Sequence, residues 1–462
     1  VARDPIPTSR ARRSATIGRL AAGQAVRQFG TRAANLTREE EKAHEALAKR
    51  QVETAEKIVT ALGTMKGAAM KIGQVMSFLD VGLVPEEYRE EFQRKLGALR
   101  DAAPAVSFND MRKVIESEFD EPLSELFDDF NEEPIAAASI GQVYRATLHD
   151  GRDVAVKVQY PGVAAAVRAD MQNLGMILRL MRALAPGLDP KAIANEIRAR
   201  IGEELDYELE AQNQRTLARI FRGHPFIVVP DVIPSLSRER VLVSEYVHGT
   251  GFDTLKEYSQ EQRDRIGEIV FRFFFGCMYR LHQFSGDPHP GNFLLLDDQR
   301  VAFLDFGLFK RIDPSVAEFE LEAQRLGIAG DGERLIEHLH AGGFIHDPSR
   351  YTPEGIIAQF HDLYGWYAQD RVIELRPEIA TQVMIDMSDP RSAYFNQMRH
   401  ETLPPDHLFG RRLEMLTLAV MAQLRAAGNW HRIAREWIYG DPPVTELGKQ
   451  EEGFYVTAPQ RR

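Results

Sequence analysis

The chain is poor in cysteine and in long apolar runs, and its acids outnumber its bases. One cysteine, Cys277, occurs among 462 residues, so no internal disulfide can form. It stands among Phe273, Phe274, Phe275 and Met278, the setting of a packing thiol on a buried helix rather than of a nucleophile. No apolar run reaches about 18 residues. The best candidate, 269–284, is interrupted by Arg272 and Arg280. No transmembrane helix or secretory signal is therefore expected. Val1, where a start methionine would stand, fits an alternative start codon or a trimmed product. The formal net charge of −11 argues against a general nucleic-acid binder. Internal repeats and long low-complexity segments are missing as well.

What is present is an ordinary globular composition, 44% hydrophobic and 27% charged, on a chain long enough for two or three lobes. The pattern divides it into five parts: an arm at 1–38, a helical extension at 39–130, a strand-bearing lobe at 131–248, a helical lobe at 249–448 and a frayed tail at 449–462. The arm is basic, with Arg3, Arg10, Arg12, Arg13, Arg19, Arg27 and Arg32 against Asp4. It reads as a solvated, partly disordered segment or as an interfacial helix meeting anionic lipid. In the extension, Ile58, Leu62, Met65, Ala69, Ile72 and Met76 recur by fours and threes as one apolar helix face. Gly67, Lys71 and Gln74 share a different face, which spacing alone assigns to solvent. A second helical run starts near Pro85 and ends before Pro104, and a further helix is expected from Phe108 to Glu118.

The densest chemistry lies near residue 290. Gly286-Asp287-Pro288-His289-Pro290-Gly291-Asn292 is followed by Asp305-Phe306-Gly307. Between them the strand-like runs Phe293–Leu296 and Val301–Leu304 flank a turn at Asp297-Asp298, predicting a hairpin with Asn292 at one end and Asp305 at the other. An Asp followed five positions later by Asn, then an Asp-Phe-Gly, is how protein kinases hold a base and two magnesium ions. Asp287 is placed to take a hydroxyl proton, while Asn292 and Asp305 supply hard oxygen ligands for Mg²⁺.

Upstream, Val154, Val156 and Val158 alternate with Ala155 and Lys157 after a His149-Asp150-Gly151 turn. Lys157 on such a strand resembles the kinase lysine that meets the α- and β-phosphates of ATP. Its carboxylate partner is expected in the acidic run 203–213, where Glu203, Asp206, Glu210 and Asn213 fall by three, four and three on one helix face. The strand Val241–Ser244 runs into Glu245-Tyr246-Val247 and then Gly249. In a kinase-like fold that is the hinge, where backbone groups from Glu245 to Val247 bind adenine. Helix is expected from Asp253 to Gln283 and again after the hairpin to about Trp437.

These residues resemble the UbiB (AarF) family of atypical kinase-like ATPases linked to ubiquinone biosynthesis, over roughly 53–308. Lys71-Ile72-Gly73-Gln74 is similar to the family's Lys-x-Gly-Gln helix. Ala136-Ala137-Ala138-Ser139 resembles the alanine-rich loop that replaces the kinase glycine-rich loop. Glu204-Leu205-Asp206 resembles the Glu-x-Asp motif, with Glu210 as the partner of Lys157. The resemblance implies an α+β, two-lobed kinase-like fold with an N-terminal helical extension and a mainly helical second lobe. It further implies that Lys71 and Gln74 point towards the Glu204–Asp206 region and block peptide substrates. On a continuous helix Glu204 and Asp206 project to nearly opposite sides, so both reach one spot only if the helix bends or begins there.

The function so implied is an ATP- and Mg²⁺-dependent atypical kinase or ATPase in quinone or isoprenoid-lipid metabolism, without protein-kinase activity in trans. Its expected ligands are nucleotide and a lipid or quinone precursor. Its expected place is the cytoplasm, with the arm at the inner face of an anionic membrane. Two alternatives remain at this level. One is a small-molecule phosphotransferase of the aminoglycoside or choline type, which has a similar catalytic loop. The other is a nucleotide-sensing scaffold without turnover.

Overall fold

Alternation of buried valine with polar residues builds the first sheet. In the computed structural model Val154, Val156 and Val158 are fully buried along one face of β4 (Asp153–Gln159). The structure describes residues 106–138, 140–168, 202, 205–380 and 401–457. The readings made for the basic arm, the helical runs before residue 106, Lys71, Gly73, Gln74, Ser139, Glu203 and Glu204 lie outside those residues. The chain divides into two units, Val1–Tyr207 with Leu236–Val243, and Glu208–Ser235 with Ser244–Arg462. Residues 208–235 thus count with the second unit, whereas the sequence pattern grouped them with the strand-bearing lobe.

In the first unit α1 (Phe108–Phe119) starts where Ser107 accepts the Asp110 N–H at 3.3 Å, and buries Met111, Val114 and Ile115 on one stripe. After α2 (Leu123–Leu126) the chain enters an antiparallel sheet. Strands β1 (Asp129–Phe130) and β2 (Ala136–Ala138) both pair with β3 (Gly141–Thr147). Strand β3 pairs with β4 along its whole length, from Gly141 opposite Gln159 to Thr147 opposite Asp153. The β3–β4 turn passes through Gly151 at φ 84°, as its His-Asp-Gly sequence requires. Strand β6 (Val241–Glu245) continues the sheet beside β4.

In the second unit α3 (Tyr207–Ile220) leads to β5 (Ile227–Val228), β7 (Thr250–Gly251) and α4 (Phe252–Leu255). Helix α5 (Gln260–Tyr279) follows, then β8 (Gln283–Ser285), β9 (Phe293–Leu295), β10 (Val301–Phe303) and β11 (Phe309–Arg311). The order β5-β10-β9-β7 forms one sheet, with β5 parallel to β10; β8 and β11 form a separate antiparallel pair. The continuous helix expected over Asp253–Gln283 is two helices. Ser259 and Gln262 form a capping box that starts α5 afresh. Beyond Tyr279, His282 adopts φ 53° and Gln283 already belongs to β8.

Helix α5 is the centre of the core. Phe271, Phe273, Phe274 and Phe275 are all buried on it, and Phe273 stacks on Phe303 of β10 at 3.6 Å. Cys277 is fully buried there, and burial lifts its thiol pKa well above the ordinary value, as suits a packing thiol. The rest of the unit is α6 (Pro314–Ala329), α7 (Gly332–Ala341), α8 (Pro353–Ala368), β12 (Ile373–Glu374), α9 (Pro405–Gln423), β13 (Ala427–Gly428), α10 (Trp430–Ile438) and α11 (Glu446–Thr457).

The expected frayed tail from Lys449 is instead most of α11, with Glu451 and Tyr455 buried. The reason sits on α5. The Arg272 side chain is 0% exposed and bonds Glu268 at 2.7 Å, Glu436 at 2.7 Å and Glu451 at 2.9 Å. The charge that interrupts the apolar run therefore docks the last helix. Among the described residues no helix is long and apolar enough to cross a membrane.

Candidate active site

The predicted hairpin is present, and its register sets the site. Phe293 pairs with Phe303, and Leu304 donates its N–H to the Asn292 carbonyl at 2.8 Å. Asn292 and Asp305 thus flank the same end of one hairpin. The loop before it is tied by its own backbone. The Asp287 carbonyl accepts the His289 N–H at 2.8 Å and the Asn292 side-chain Nδ2 at 3.0 Å. The His289 carbonyl accepts the Asn292 N–H at 2.9 Å, and His289 Nδ1 accepts the Gly291 N–H at 3.0 Å. Pro288 and Pro290 lack N–H groups, so few donors are left to compete with these bonds. With its nitrogen engaged, the Asn292 amide presents its oxygen as an acceptor. Asp287, Asn292 and Asp305 are all half-buried.

The Asp-Phe-Gly turn is braced in three ways. Asp305 Oδ1 accepts the Gly307 N–H at 3.0 Å, Ser285 Oγ donates to the Asp305 carbonyl at 3.0 Å, and Phe306 is wholly buried. Ser285 escaped sequence reasoning, because nothing in its local pattern marks a strand serine two residues before Asp287. On β8 it faces the turn that follows β10, and the Gly286 N–H reaches the Leu308 carbonyl at 2.6 Å.

Glu210 joins this group from α3. It is 2% exposed, and a Cβ built on Gly307 would lie 3.3 Å from Glu210 Oε2 and 3.5 Å from Asp305 Oδ1. A Cβ at 307 would press on the Glu210 carboxylate and come into ordinary contact with that of Asp305. Asn213, one turn further along α3, is also buried, and its Oδ1 has no hydrogen-bond partner. The four-residue face expected over 203–213 is not one helix stripe. Leu205 lies in a turn and Asp206 outside any helix, because α3 begins at Tyr207. Of those positions only Glu210 and Asn213 share a described helix face.

Within the first unit, the residues that lead into α3, up to Tyr207, are fixed to the sheet. Gln159, fully buried at the end of β4, donates through Nε2 to the carbonyls of Leu205 at 2.9 Å and Glu239 at 3.2 Å. The Tyr207 N–H reaches the Glu239 carbonyl at 3.0 Å. Asp206 is held between these anchors. Lys157, opposite Val143 in the sheet, places its Nζ 5.1 Å from the centre of the Tyr207 ring. Sequence reasoning missed both Gln159 and Tyr207. Ala136, Ala137 and Ala138 form the edge strand of a hairpin whose return strand starts at Gly141, where any Cβ would run into the Val158 carbonyl. Glu245 is exposed; its N–H bonds the Asp231 carbonyl at 2.9 Å, and its Oε2 accepts the Asp231 N–H at 3.1 Å. Val247 is half-buried.

Residues 98–338 match the ABC1 atypical kinase-like domain. Over 95% of this chain and 59% of the other, it is 27% identical to the mitochondrial atypical kinase coq-8 of Caenorhabditis elegans. It is 33% identical to the mitochondrial atypical kinase COQ8B of Rattus norvegicus, over 61% of this chain and 53% of that one. The chloroplastic Activity of BC1 complex kinase 8 of Arabidopsis thaliana is 33% identical over 55% of this chain and 34% of its own length. The chain thus spans between about a third and three-fifths of these relatives. Among solved structures, the complex of Rv3197 with erythromycin from Mycobacterium tuberculosis superimposes with a TM-score of 0.62 at 30% identity, covering 86% of this chain and 98% of that one. The α+β, kinase-like fold class agrees with both the domain match and this superposition.

Proposed function

Because the chain belongs to the UbiB family through its ABC1 atypical kinase-like domain, we propose that it binds Mg-ATP and works as an atypical kinase or ATPase supporting quinone or isoprenoid-lipid metabolism. One observation carries this reading: the hairpin brings Asn292 and Asp305 to one end, with Asn292 oriented by the Asp287 carbonyl. Two protein oxygen donors suit Mg²⁺, which keeps waters and nucleotide phosphates as its other ligands. Bound there, Mg²⁺ neutralises charge on the phosphate oxygens.

The chain's own residues have the following roles. Asp287 receives the proton of the acceptor hydroxyl or water. Asn292 and Asp305 hold the metal. Lys157 binds phosphate oxygens, and Glu210 is its carboxylate partner. Ala136, Ala137, Ala138 and Ser139 cover the phosphates with a stiffer backbone than glycine gives. The backbone from Glu245 to Val247 takes the adenine. Lys71, Gly73 and Gln74, with Glu204 and Asp206, close the acceptor side against peptides. The basic arm meets anionic lipid, which liposome co-sedimentation with and without residues 1–36 tests.

The deciding experiment is ATP turnover with Mg²⁺, anionic liposomes and a panel of quinone precursors. Asp305→Asn is expected to lower turnover roughly 10²–10³-fold, the usual cost of removing one group that stabilises transition-state charge. Full turnover in that variant sinks the assignment. Tight nucleotide binding with no hydrolysis in the wild type replaces it with a nucleotide sensor. The aminoglycoside- or choline-type reading is not favoured, because the domain match extends over 98–338 and not over the catalytic loop alone.

A further inference from the structure

Away from the hairpin, α6, α7, α8 and α9 line a partly open cavity of about 70 Å³ in the second unit. A water needs roughly 10–15 Å³ by such a measure, so there is room for several waters or for a molecule of a few heavy atoms. Phe360 and Tyr364 of α8 and Phe344 supply aromatic walls, and Gln359, Glu401 and Arg411 supply polar ones.

The polar end is rich in acceptors. Gln359 is 5% exposed; its Nε2 donates to Glu401 at 3.1 Å, while its Oε1 has no hydrogen-bond partner. Among the described residues the donors to Glu401 are the Gln359 amide and the Tyr351 hydroxyl, both neutral. Burial raises the Glu401 pKa, and among the described residues no cation forms an ion pair with it. Arg411 also lines the cavity but is already engaged. Its guanidinium pairs with Glu320 at 2.8 Å, bonds the Tyr364 hydroxyl and lies 5.4 Å from the Phe344 ring centre. Glu320 in turn holds His407 at 2.6 Å. A half-buried carboxylate and an unpartnered carbonyl oxygen thus share an aromatic cavity whose arginine is already paired.

The missing complement is a small donor with positive charge. A hard divalent ion needs about six oxygens and suits aromatic walls poorly. Water satisfies acceptors but leaves the carboxylate charge in place. An ammonium supplies three N–H donors and a charge that aromatic faces attract. We propose that this cavity binds a primary ammonium group, with Glu401 and Gln359 as its acceptors and the Phe360 and Tyr364 rings beside it.

The test uses the full chain with ethylammonium chloride as probe, ethanol as its neutral counterpart and sodium chloride as the ionic-strength control. Equilibrium dialysis and thermal denaturation are read together. One ethylammonium per chain is expected, with a dissociation constant on the order of millimolar, as its three heavy atoms allow. A rise in melting temperature is expected with ethylammonium but not with ethanol or sodium chloride. Glu401→Gln should weaken binding at least about tenfold, in line with the loss of a charge-assisted hydrogen bond. Ala323→Leu, which fills the cavity from α6 without touching Glu401, should abolish it. Equal shifts with ethylammonium and ethanol, undiminished binding in both variants, or no binding at all to the wild type would overturn the proposal.

Discussion

Two polar constellations in the second unit are built on opposite terms. At Arg272 every partner is a side chain, and the guanidinium is 0% exposed among Glu268, Glu436 and Glu451. Around Asp287, Asn292 and Asp305 most of the bracing is main chain, and the three side chains are half-buried. The first arrangement uses its charges on one another and joins α5, α10 and α11. The second fixes backbone positions and leaves side-chain oxygens within reach of solutes. Acids neutralised from inside thus serve cohesion, and acids positioned by backbone are the ones proposed above to serve chemistry. The Glu401 cavity fits the same contrast as a third case, a half-buried acid whose hydrogen-bond donors among the described residues are neutral.

The strongest way to break this contrast is Arg272→Met. Removing one partner from a buried ion network leaves uncompensated carboxylates and costs about 3–5 kcal/mol. Urea denaturation should report a loss of that size, while ATP turnover per folded molecule stays at the wild-type level. Asp305→Asn is the mirror experiment. The amide oxygen can still accept the Gly307 N–H, so stability should stay within about 1 kcal/mol, the worth of one such hydrogen bond. Turnover should fall by the factor given above. If both variants lost stability and turnover together, the two constellations would be a single coupled network.

Next in size is a pH effect on a third buried acid. Burial pushes the Glu414 pKa from its usual 4.5 up to about 7, against the opposing pull of Arg411 and with added repulsion from Glu320. Tyr279 donates its hydroxyl to Glu414 at 2.6 Å, and Gln324 donates to Tyr279 at 2.7 Å. The raised pKa means the native state binds a proton that the unfolded chain has released. The stabilisation is full below about pH 4.5 and is lost as pH rises through about 7. At 1.36 kcal/mol per pKa unit the loss is about 3 kcal/mol. His224 acts in the other direction. Burial lowers its pKa from 6.5 to about 3, so its contribution is present above pH 6.5 and lost as pH falls towards 3. The two effects separate in a difference measurement. Glu414→Gln should gain on the wild type by about 3 kcal/mol between pH 5 and pH 8, and a constant difference across that range would refute the assignment.

What could be read from sequence was what is local. The hairpin from Asn292 to Asp305 closes within fourteen residues, so alternation and a turn sufficed to find it. Lys157 was legible because strand periodicity surrounds it. The start of α3 was not, because it is set by Gln159 and Glu239, which are distant in the chain. Arg272 read as an interruption of an apolar run; its acceptors lie up to 179 residues away, and no local pattern announces them. For the same reason Lys449 onward read as a tail, although Glu451 and Tyr455 are core residues of α11. Ser285 and the Glu401–Gln359 pair share this character. Their significance lies in what the fold brings opposite them, and single-sequence periodicity carries no information about that.

The smallest expected effect bears most directly on how the hairpin is held. Ser285 Oγ donates to the Asp305 carbonyl at 3.0 Å, and Ser285 is 2% exposed. In Ser285→Ala that carbonyl loses a neutral hydrogen bond, which costs about 0.5–1.5 kcal/mol. Asp305 keeps its side-chain bond from Gly307, and Leu304 keeps its bond to Asn292. The turn should therefore persist with a looser backbone. Turnover at saturating Mg-ATP should fall by about threefold to tenfold, the rate equivalent of that energy range, and Ser285→Thr, which retains the hydroxyl, should recover most of it. A wild-type rate in Ser285→Ala would mean that the β9–β10 pairing and the Gly307 N–H position Asp305 without help from β8. That outcome would confine the metal-holding geometry to the hairpin itself.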